Sequence, residues 1–377
     1  MRIGFDGKRA VQNFTGLGNY SRYVADILCH FYPENDYVLY APKKRENKRM
    51  NLLTGQYRQL TLAYPATSFW KKLSSLWRVW GITSQLEKEG IELFHGLSNE
   101  LPLNIHKSRI KSIVTIHDLI FLRYPQYYQS IDRKIYTYKF RKACENADKI
   151  IAISECTKRD IIRYFNIPDD KIEVVYQGCD VSFTHPVTEE KKEEVRKKYQ
   201  LPDHYILNVG SIEERKNILA AVQALPMLPQ HIHIVIVGRR TGYTKKVEQF
   251  IKDNGLGERV HIISNVPFND LPAFYQSAEI FVYPSRFEGF GIPIIEALYS
   301  GIPVVAATGS CLEEAGGPDS IYVNPDDITG LADAFKQIYS NSDKRKNMVE
   351  KGREFAKRFS EKQQSEEIIN IYKKLIR

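Results

Sequence analysis

Residues 279–305 read EIFVYPSRFEGFGIPIIEALYSGIPVV. The aromatic and β-branched run EIFVYPS has the composition of a buried strand. A loop holding Gly289 and Gly291 follows, and Pro293 then falls where the first turn of a helix tolerates a missing N–H. The order is strand, glycine-rich loop, helix. Glycines let a ligand come close to the backbone, and amides at a helix start attract anions. Open α/β sheets take their ligands beyond the C-terminal ends of the strands. Glu288 and Glu296 frame the loop. Carboxylates are poor partners for phosphate and good acceptors for the hydroxyls of a sugar or ribose. Amides for phosphate with carboxylates on either side for hydroxyls suit a nucleotide sugar. By itself the E-x(7)-E spacing equally describes a helix cap followed by an exposed helical residue.

Similar runs recur in both directions along the chain. RIGFDG, YVLYAP, ELFHGL, SIVTIHD, IIAISE and IEVVYQG lie in the first half; YILNVGS, IHIVIVG, RVHIISN, EIFVYPS, IPVVAAT and IYVNP lie in the second. Many are apolar on both alternations, as strands covered by helices on two faces must be. Strand–helix alternation implies parallel sheets, and two such series imply two Rossmann-like domains. With 377 residues the chain is long enough for two cores. The expected division is residues 1–183, a linker at 184–204 (THPVTEEKKEEVRKKYQLPDH), a second domain at 205–359 and a C-terminal helix at 360–377. That helix starts at Ser360 as N-cap with Gln363 closing a capping box, and carries an apolar stripe of Ile368, Ile369, Tyr372, Leu375 and Ile376.

Charge is unevenly spread. Residues 1–170 hold 27 Lys and Arg against 17 Asp and Glu, whereas residues 171–377 hold 27 against 28. The basic surplus points to an anionic partner for the first half. Nucleic acid is disfavoured, because the paired carboxylates at the glycine-rich loop would repel a phosphate backbone. Five scattered cysteines without a C-x-x-C pair read as reduced thiols of a cytoplasmic protein and suggest no metal site. The start of the chain lacks a signal-peptide core, and no run of about 18 apolar residues is present to span a bilayer.

The segment E-GFGIPII-E, followed by AL and GIPVVA, resembles the E-x(7)-E signature of retaining glycosyltransferases of the GT-B fold, specifically glycosyltransferase family 4. NVPFNDLPAFYQSAEIFVYPS, SCLEEAGG, YVNPDD, GSIEERKN, TGLGNYSRYV, TIHDL, ISECTKRDI and VVYQGCD also resemble that family, so the likeness covers nearly the whole chain and is weakest over residues 45–90. The resemblance implies two Rossmann-like domains facing across a cleft, with the donor mainly on the second and the C-terminal helix crossing back to the first. It implies that Glu296 binds the donor ribose and Glu288 the transferred sugar. The amides of Phe290, Gly291 and Ile292 would contact the sugar or its phosphates, and Lys216 the diphosphate. The family often has arginine after the glycine that is Gly210 here; this chain has Ser211, and Arg215 is the candidate for the second charge. His117 is expected against the donor sugar, with Asp118 orienting its ring or capping the next turn. Gly16 and Gly18 are expected to form a turn before a helix whose start faces the diphosphate. No cofactor or metal is implied. The reaction implied is transfer of a hexose with retention, from GDP-mannose first and UDP-hexoses next, to a glycan or lipid-linked oligosaccharide in surface polysaccharide synthesis. A hydrolysing nucleotide-sugar epimerase and a non-catalytic nucleotide-sugar binder are the alternatives.

SFWKKLSSLWRVWGI holds all three tryptophans. Phe69, Trp70, Leu73, Leu76, Trp77 and Trp80 recur at helical spacing, with Lys71, Lys72 and Arg78 off the stripe. A basic amphipathic helix of this kind suits an anionic membrane surface, with the basic loop 43–49 adding charge; packing of the aromatic face on the first sheet is the other reading.

Overall fold

A computed structural model describes residues 1–376 and forms two compact units, Met1–Gln177 together with the segment from Glu361 onward, and Gly178–Ser360. The first is built on seven strands: β1 (Arg2–Asp6), β2 (Asp36–Tyr40), β3 (Leu60–Ala63), β4 (Leu93–Gly96), β5 (Lys111–Ile116), β6 (Lys149–Ala152) and β7 (Ile172–Val174). All pair in parallel, in the order β3-β2-β1-β4-β5-β6-β7. The second carries β8 (Tyr205–Val209), β9 (His233–Val237), β10 (Val260–Ile263), β11 (Ile280–Tyr283), β12 (Val304–Ala307) and β13 (Ile321–Val323). These too are parallel, in the order β10-β9-β8-β11-β12-β13. In each unit the order reverses between the first and fourth strands. Crossover helices leave to opposite faces there, so a crevice opens beyond the C-terminal ends of β1 and β4 in one unit and of β8 and β11 in the other. β4, β11 and β12 are buried along their whole length, which explains their continuous apolar reading.

Several boundaries differ from the sequence reading. β3 was not among the expected strands; it is an edge strand of four residues with Thr61 exposed, so its apolar signal is thin. Residues 184–204 lie within the second unit rather than between units. The helix Glu189–Tyr199 there is anchored by the buried Val195 and by Lys191 and Lys198 on the buried Asp270. The C-terminal helix Glu361–Ile376 lies in the first unit, where Ile368, Ile369, Ile371 and Tyr372 share a core with Val24 and Leu28 of the helix Gly16–Phe31.

The tryptophan segment is not one amphipathic helix. It runs as Ser68–Lys72, Ser74–Leu76, a π-helical turn Trp77–Gly81, and Ile82–Lys88. Trp77 is fully buried, its Nε1 donating to Gln85 at 3.1 Å. Trp70 lies over Gly81, where a Cβ would come within 2.5 Å of the indole. Phe69, Leu73, Leu76 and Trp80 stay exposed. The stripe therefore divides into a core side and a surface ridge. Arg78, expected among the solvated bases, turns inward instead and pairs with Asp6 and Glu100.

Candidate active site

At the switch point of the second unit, the chain leaving β8 passes Gly210 and makes a 3-10 turn at Glu214–Lys216. Asn217 ends that turn in the left-handed region (φ 55°), and its amide donates to the carbonyls of Pro284 (3.3 Å) and Pro325 (2.8 Å). This ties the loop after β8 to the chain following β11 and β13. Gly238 permits the approach, since a Cβ there would lie 1.8 Å from the Gly210 oxygen.

The turn delivers Arg215 and Lys216 to Glu288. Arg215 Nη1 lies 2.8 Å from one carboxylate oxygen and Lys216 Nζ 3.0 Å from the other. Ser285 Oγ (2.8 Å) and the Tyr283 hydroxyl (3.2 Å) also donate to Glu288, and Lys216 reaches Tyr283 at 2.8 Å. Burial opposes ionisation of Glu288, but Lys216 and Arg215, with the Ser285 hydrogen bond, hold its pKa down to about 2. Burial likewise works against the Lys216 charge, and Glu288 more than offsets it, moving the pKa upward. Two cations thus share one carboxylate in a recess where their side chains are less than a fifth exposed.

The loop 288–291 leads into the helix Ile292–Ser300, with Pro293 in its first turn. Cys311 Sγ donates to the carbonyls of Glu288 (3.0 Å) and Phe290 (2.7 Å). With trans peptides, a carbonyl turned toward Cys311 sends the next residue's N–H the other way, so the Gly291 amide points away from Cys311. Gly291 is needed for packing as well: its Cβ would meet Ala315 at 3.1 Å. Phe290 is buried and Ile292 partly accessible. Glu296, one turn into the helix, accepts from the Tyr275 hydroxyl at 2.6 Å. Burial raises its pKa to about 7, against the Tyr275 hydrogen bond and with help from Asp180.

In the first unit, Gly16 and Gly18 do not precede a helix; they form its first turn, because the helix begins at Gly16 after Thr15. Gly18 has no room for a side chain, since a Cβ would sit 2.0 Å from the Asn13 oxygen. His117 follows β5 and is buried. Its Nε2 lies 2.9 Å from the Leu97 carbonyl and its Nδ1 3.2 Å from the Gln177 amide nitrogen. A carbonyl only accepts and an amide NH2 only donates, so the ring is the neutral tautomer protonated on Nε2. Burial holds its pKa down to about 4, against the Leu97 hydrogen bond. Leu97 and Gln177 orient the ring; Asp118 accepts from the Ile120 amide at 3.1 Å and so caps the turn that follows.

A family model described as Glycosyltransferase Family 4 matches residues 21–183, and one described as Glycosyl transferases group 1 matches residues 190–355. The O-antigen chain mannosyltransferase B of Escherichia coli is 31% identical over 289 residues, covering 75% of this chain and 74% of that protein. The chain is a family 4 glycosyltransferase. The O-antigen chain mannosyltransferase RfbU of Salmonella typhimurium is 29% identical over 225 residues, 60% of each protein. Among solved structures, Anabaena Alr3699/HepE in complex with UDP and glucose aligns with a TM-score of 0.77 at 18% identity over 100% of both chains. The fold is accordingly GT-B, two parallel-sheet α/β domains.

This glycosyltransferase brings Glu288, Arg215 and Lys216 together and sets Glu296 one helical turn from Gly291. Residues absent from the sequence reading complete the set: Tyr283 and Ser285 on Glu288, Tyr275 on Glu296, and Gln177 on His117. Tyr283 and Ser285 were within sight, at the end of EIFVYPS. Gln177 lies 60 positions from His117, and only the adjacency of β5, β6 and β7 joins them.

Proposed function

We propose that this glycosyltransferase moves a hexose from a nucleotide-sugar donor held at the second unit's switch point to a glycan or lipid-linked oligosaccharide acceptor in surface polysaccharide synthesis. The observation that carries it is the pair of largely buried cations, Arg215 and Lys216, that one loop delivers to the switch point beside Glu288. Two cations side by side on a loop at a switch point are placed to meet the two phosphates of a diphosphate. As the diphosphate engages the two cations, Glu288 is freed to accept from hydroxyls of the transferred sugar, and Glu296 accepts from the ribose. The Gly291 amide adds a donor to the phosphate. With this charge on side chains and amides, the reaction proceeds without a metal and survives excess EDTA; loss restored by magnesium or manganese overturns that part.

The donor is GDP-mannose, in keeping with the mannosyltransferases among the relatives; UDP-hexoses come next, in keeping with the UDP-bound neighbour. Transfer retains configuration. The bond from the anomeric carbon to the phosphate oxygen breaks, the bond to the acceptor oxygen forms on the same face, and the acceptor proton passes to the departing phosphate. A neutral His117 contributes hydrogen bonding, not base catalysis. The test is a thermal-shift series with nucleoside diphosphates and their sugars. A true donor at 100 times its dissociation constant adds about 2.7 kcal/mol; no shift with any nucleotide rejects the reading. The one-bond C1–H1 coupling at the product's anomeric centre checks retention.

The acceptor is met at an anionic membrane surface. Among the described residues no helix is long and apolar enough to cross a membrane. The ridge Phe69, Leu73, Leu76 and Trp80, with Lys71 and Lys72 beside it, offers apolar area and charge together. Five buried cysteine thiols suit work on the reducing, cytoplasmic side. Sedimentation with anionic vesicles at low salt should carry the protein down, and Trp80→Ala with Leu76→Ala should weaken this. A wild type that stays in the supernatant rules the surface out.

A further inference from the structure

The switch point of the first unit is also furnished. Asp6, at the end of β1, takes Arg78 Nε through both oxygens at 3.1 Å. Glu100, in the chain after β4, takes Arg78 Nη1 at 2.6 Å. Arg78 is thereby consumed by two carboxylates. It stands in the π-helical turn Trp77–Gly81, a local insertion of the type that recurs at functional sites. Beside Glu100 opens a cavity of about 330 Å³, within the size range of ligand pockets. Val79, Leu101, Ile135 and Tyr138 make its walls mostly apolar; Lys134 and Lys139 stand at its rim. Lys139 lies 3.5 Å from Glu100 and is 39% exposed, whereas Lys134 is exposed.

Two exposed apolar ridges adjoin or include residues that line the cavity. One is Phe69, Leu73, Leu76 and Trp80, which ends next to Val79. The other is Ile131, Ile135 and Tyr138 on the helix Ser130–Asn146. Backbone bonds hold the first ridge in place: Leu103 N donates to the Val79 carbonyl at 2.9 Å and Asn104 Nδ2 to the Trp80 carbonyl at 3.0 Å. A mostly apolar pocket whose charged groups are Lys134, Lys139 and the Glu100 already bound to Arg78 fits neither a bare sugar nor a bare phosphate. It fits a molecule that is apolar along its length and anionic at one end.

We propose that this pocket binds the phosphate-bearing end of a lipid chain, the carrier part of the acceptor, with the chain against Val79, Leu101, Ile135 and Tyr138 and the phosphate at Lys134 and Lys139. The inference rests on the acceptor being lipid-linked, as put above, and names the site that takes it. The charge allows it: Asp6 and Glu100 hold Arg78, Lys139 is shared with Glu100 at 3.5 Å, and the exposed Lys134 is the cation offered first to an incoming phosphate. The position matches as well, since ligands of open α/β sheets gather where the strand order reverses.

The test is calorimetric titration of the whole protein with farnesyl diphosphate below its micelle concentration. Saturating GDP or UDP is present throughout, so that Arg215 and Lys216 are already occupied. Farnesyl diphosphate should bind, and farnesol and inorganic diphosphate at least about tenfold more weakly. Ile135→Asp and Lys134→Glu alter exposed side chains, and each should cut farnesyl diphosphate affinity at least about tenfold while leaving nucleotide binding as it was. Wild-type protein that ignores farnesyl diphosphate, or variants that bind it as the wild type does, overturn the proposal. Nucleotide binding without lipid phosphate binding leaves the donor reading standing and removes this one. Lipid phosphate binding that is lost in Ile135→Asp, in a protein that takes no nucleotide, does the reverse.

Discussion

The two switch points hold charge clusters of similar size, burial and place in the fold, with opposite balances. In the second unit, two cations, Arg215 and Lys216, gather on Glu288, with Glu213 3.8 Å from Arg215. In the first, Asp6 and Glu100 share Arg78, and the core of the cluster is one negative. Burial opposes the charge on Arg78, and the two carboxylates more than restore it. Burial opposes ionisation of Glu100 too, but Arg78 and Lys139 bring its pKa down to about 2. A cluster in which cations outnumber the buried carboxylate they share is placed to receive an anion. A cluster whose guanidinium is taken on three nitrogens is finished, and its work is to hold a wall in place. The same element of topology therefore serves as a binding centre in one unit and as scaffolding in the other, and mutation separates the two.

The largest effect is expected from removing the one cation that two buried carboxylates share. Arg78→Met leaves Asp6 and Glu100 buried without their partner, and should lower unfolding free energy by about 3–5 kcal/mol. Urea denaturation of the first unit's transition measures this, and a loss below about 1 kcal/mol would mean that water reaches the cluster. Lys216→Met is the counterpart. Glu288 keeps Arg215 at 2.8 Å and the hydroxyls of Ser285 and Tyr283, so stability should hardly change. kcat/KM should fall about 10²–10³-fold, the usual consequence of losing one donor to developing charge. If Lys216→Met unfolds the protein while Arg78→Met only slows it, the comparison is inverted.

How much of this was legible in the sequence follows from how each feature is encoded. Strands buried on both faces, such as LFHG and IFVY, announce themselves through composition, and the alternation with helices gives two parallel sheets. The edge strand β3 does not, because Thr61 faces solvent and only four residues are involved. The spacing of Glu288 and Glu296 within one loop and helix is local and could be read. The pairing of Glu288 with Arg215 and Lys216 spans 73 and 72 positions and exists only because β8 lies beside β11. Arg78 looked like a solvated base because helical periodicity was carried through residues 69–80, whereas a π turn at 77–81 breaks the phase there. His117 was found through resemblance; its tautomer depends on Leu97 and Gln177, which no pattern connects to it.

The two framing carboxylates sharpen the picture of the second unit. Glu288→Ala removes the acceptor that competes with diphosphate for Arg215 and Lys216. Nucleoside diphosphate affinity should hold or rise, while kcat falls about tenfold or more because the sugar loses its hydroxyl acceptor. Glu296→Ala should weaken nucleotide binding by about 1.5–3 kcal/mol, as for hydrogen bonds to a charged group, with a smaller change in kcat. Parallel isotherms and saturation kinetics separate the cases. Equal losses of affinity in both variants would show that Glu288 holds the nucleotide and not the sugar.

The smallest effect concerns protons, and its sign distinguishes the same two residues. Burial lifts Glu296 from its ordinary 4.5 to about 7, so its contribution to stability is present below about 4.5 and is lost as pH rises through 7. Glu288 is moved the other way, to about 2; its contribution is present above about 4.5 and is lost as pH falls toward 2. Only Glu296 changes charge in the working range, since His117, near 4, is already neutral there. Ribose hydroxyls donating to Glu296 favour its ionised form, so binding expels a proton at pH 6 and not at pH 8. Nucleotide affinity should therefore improve about tenfold from pH 6 to pH 8 and level off above it. Glu296→Gln should flatten that slope, whereas Glu288→Gln should leave it. A slope that survives in Glu296→Gln would assign the proton to another group and detach Glu296 from the ribose.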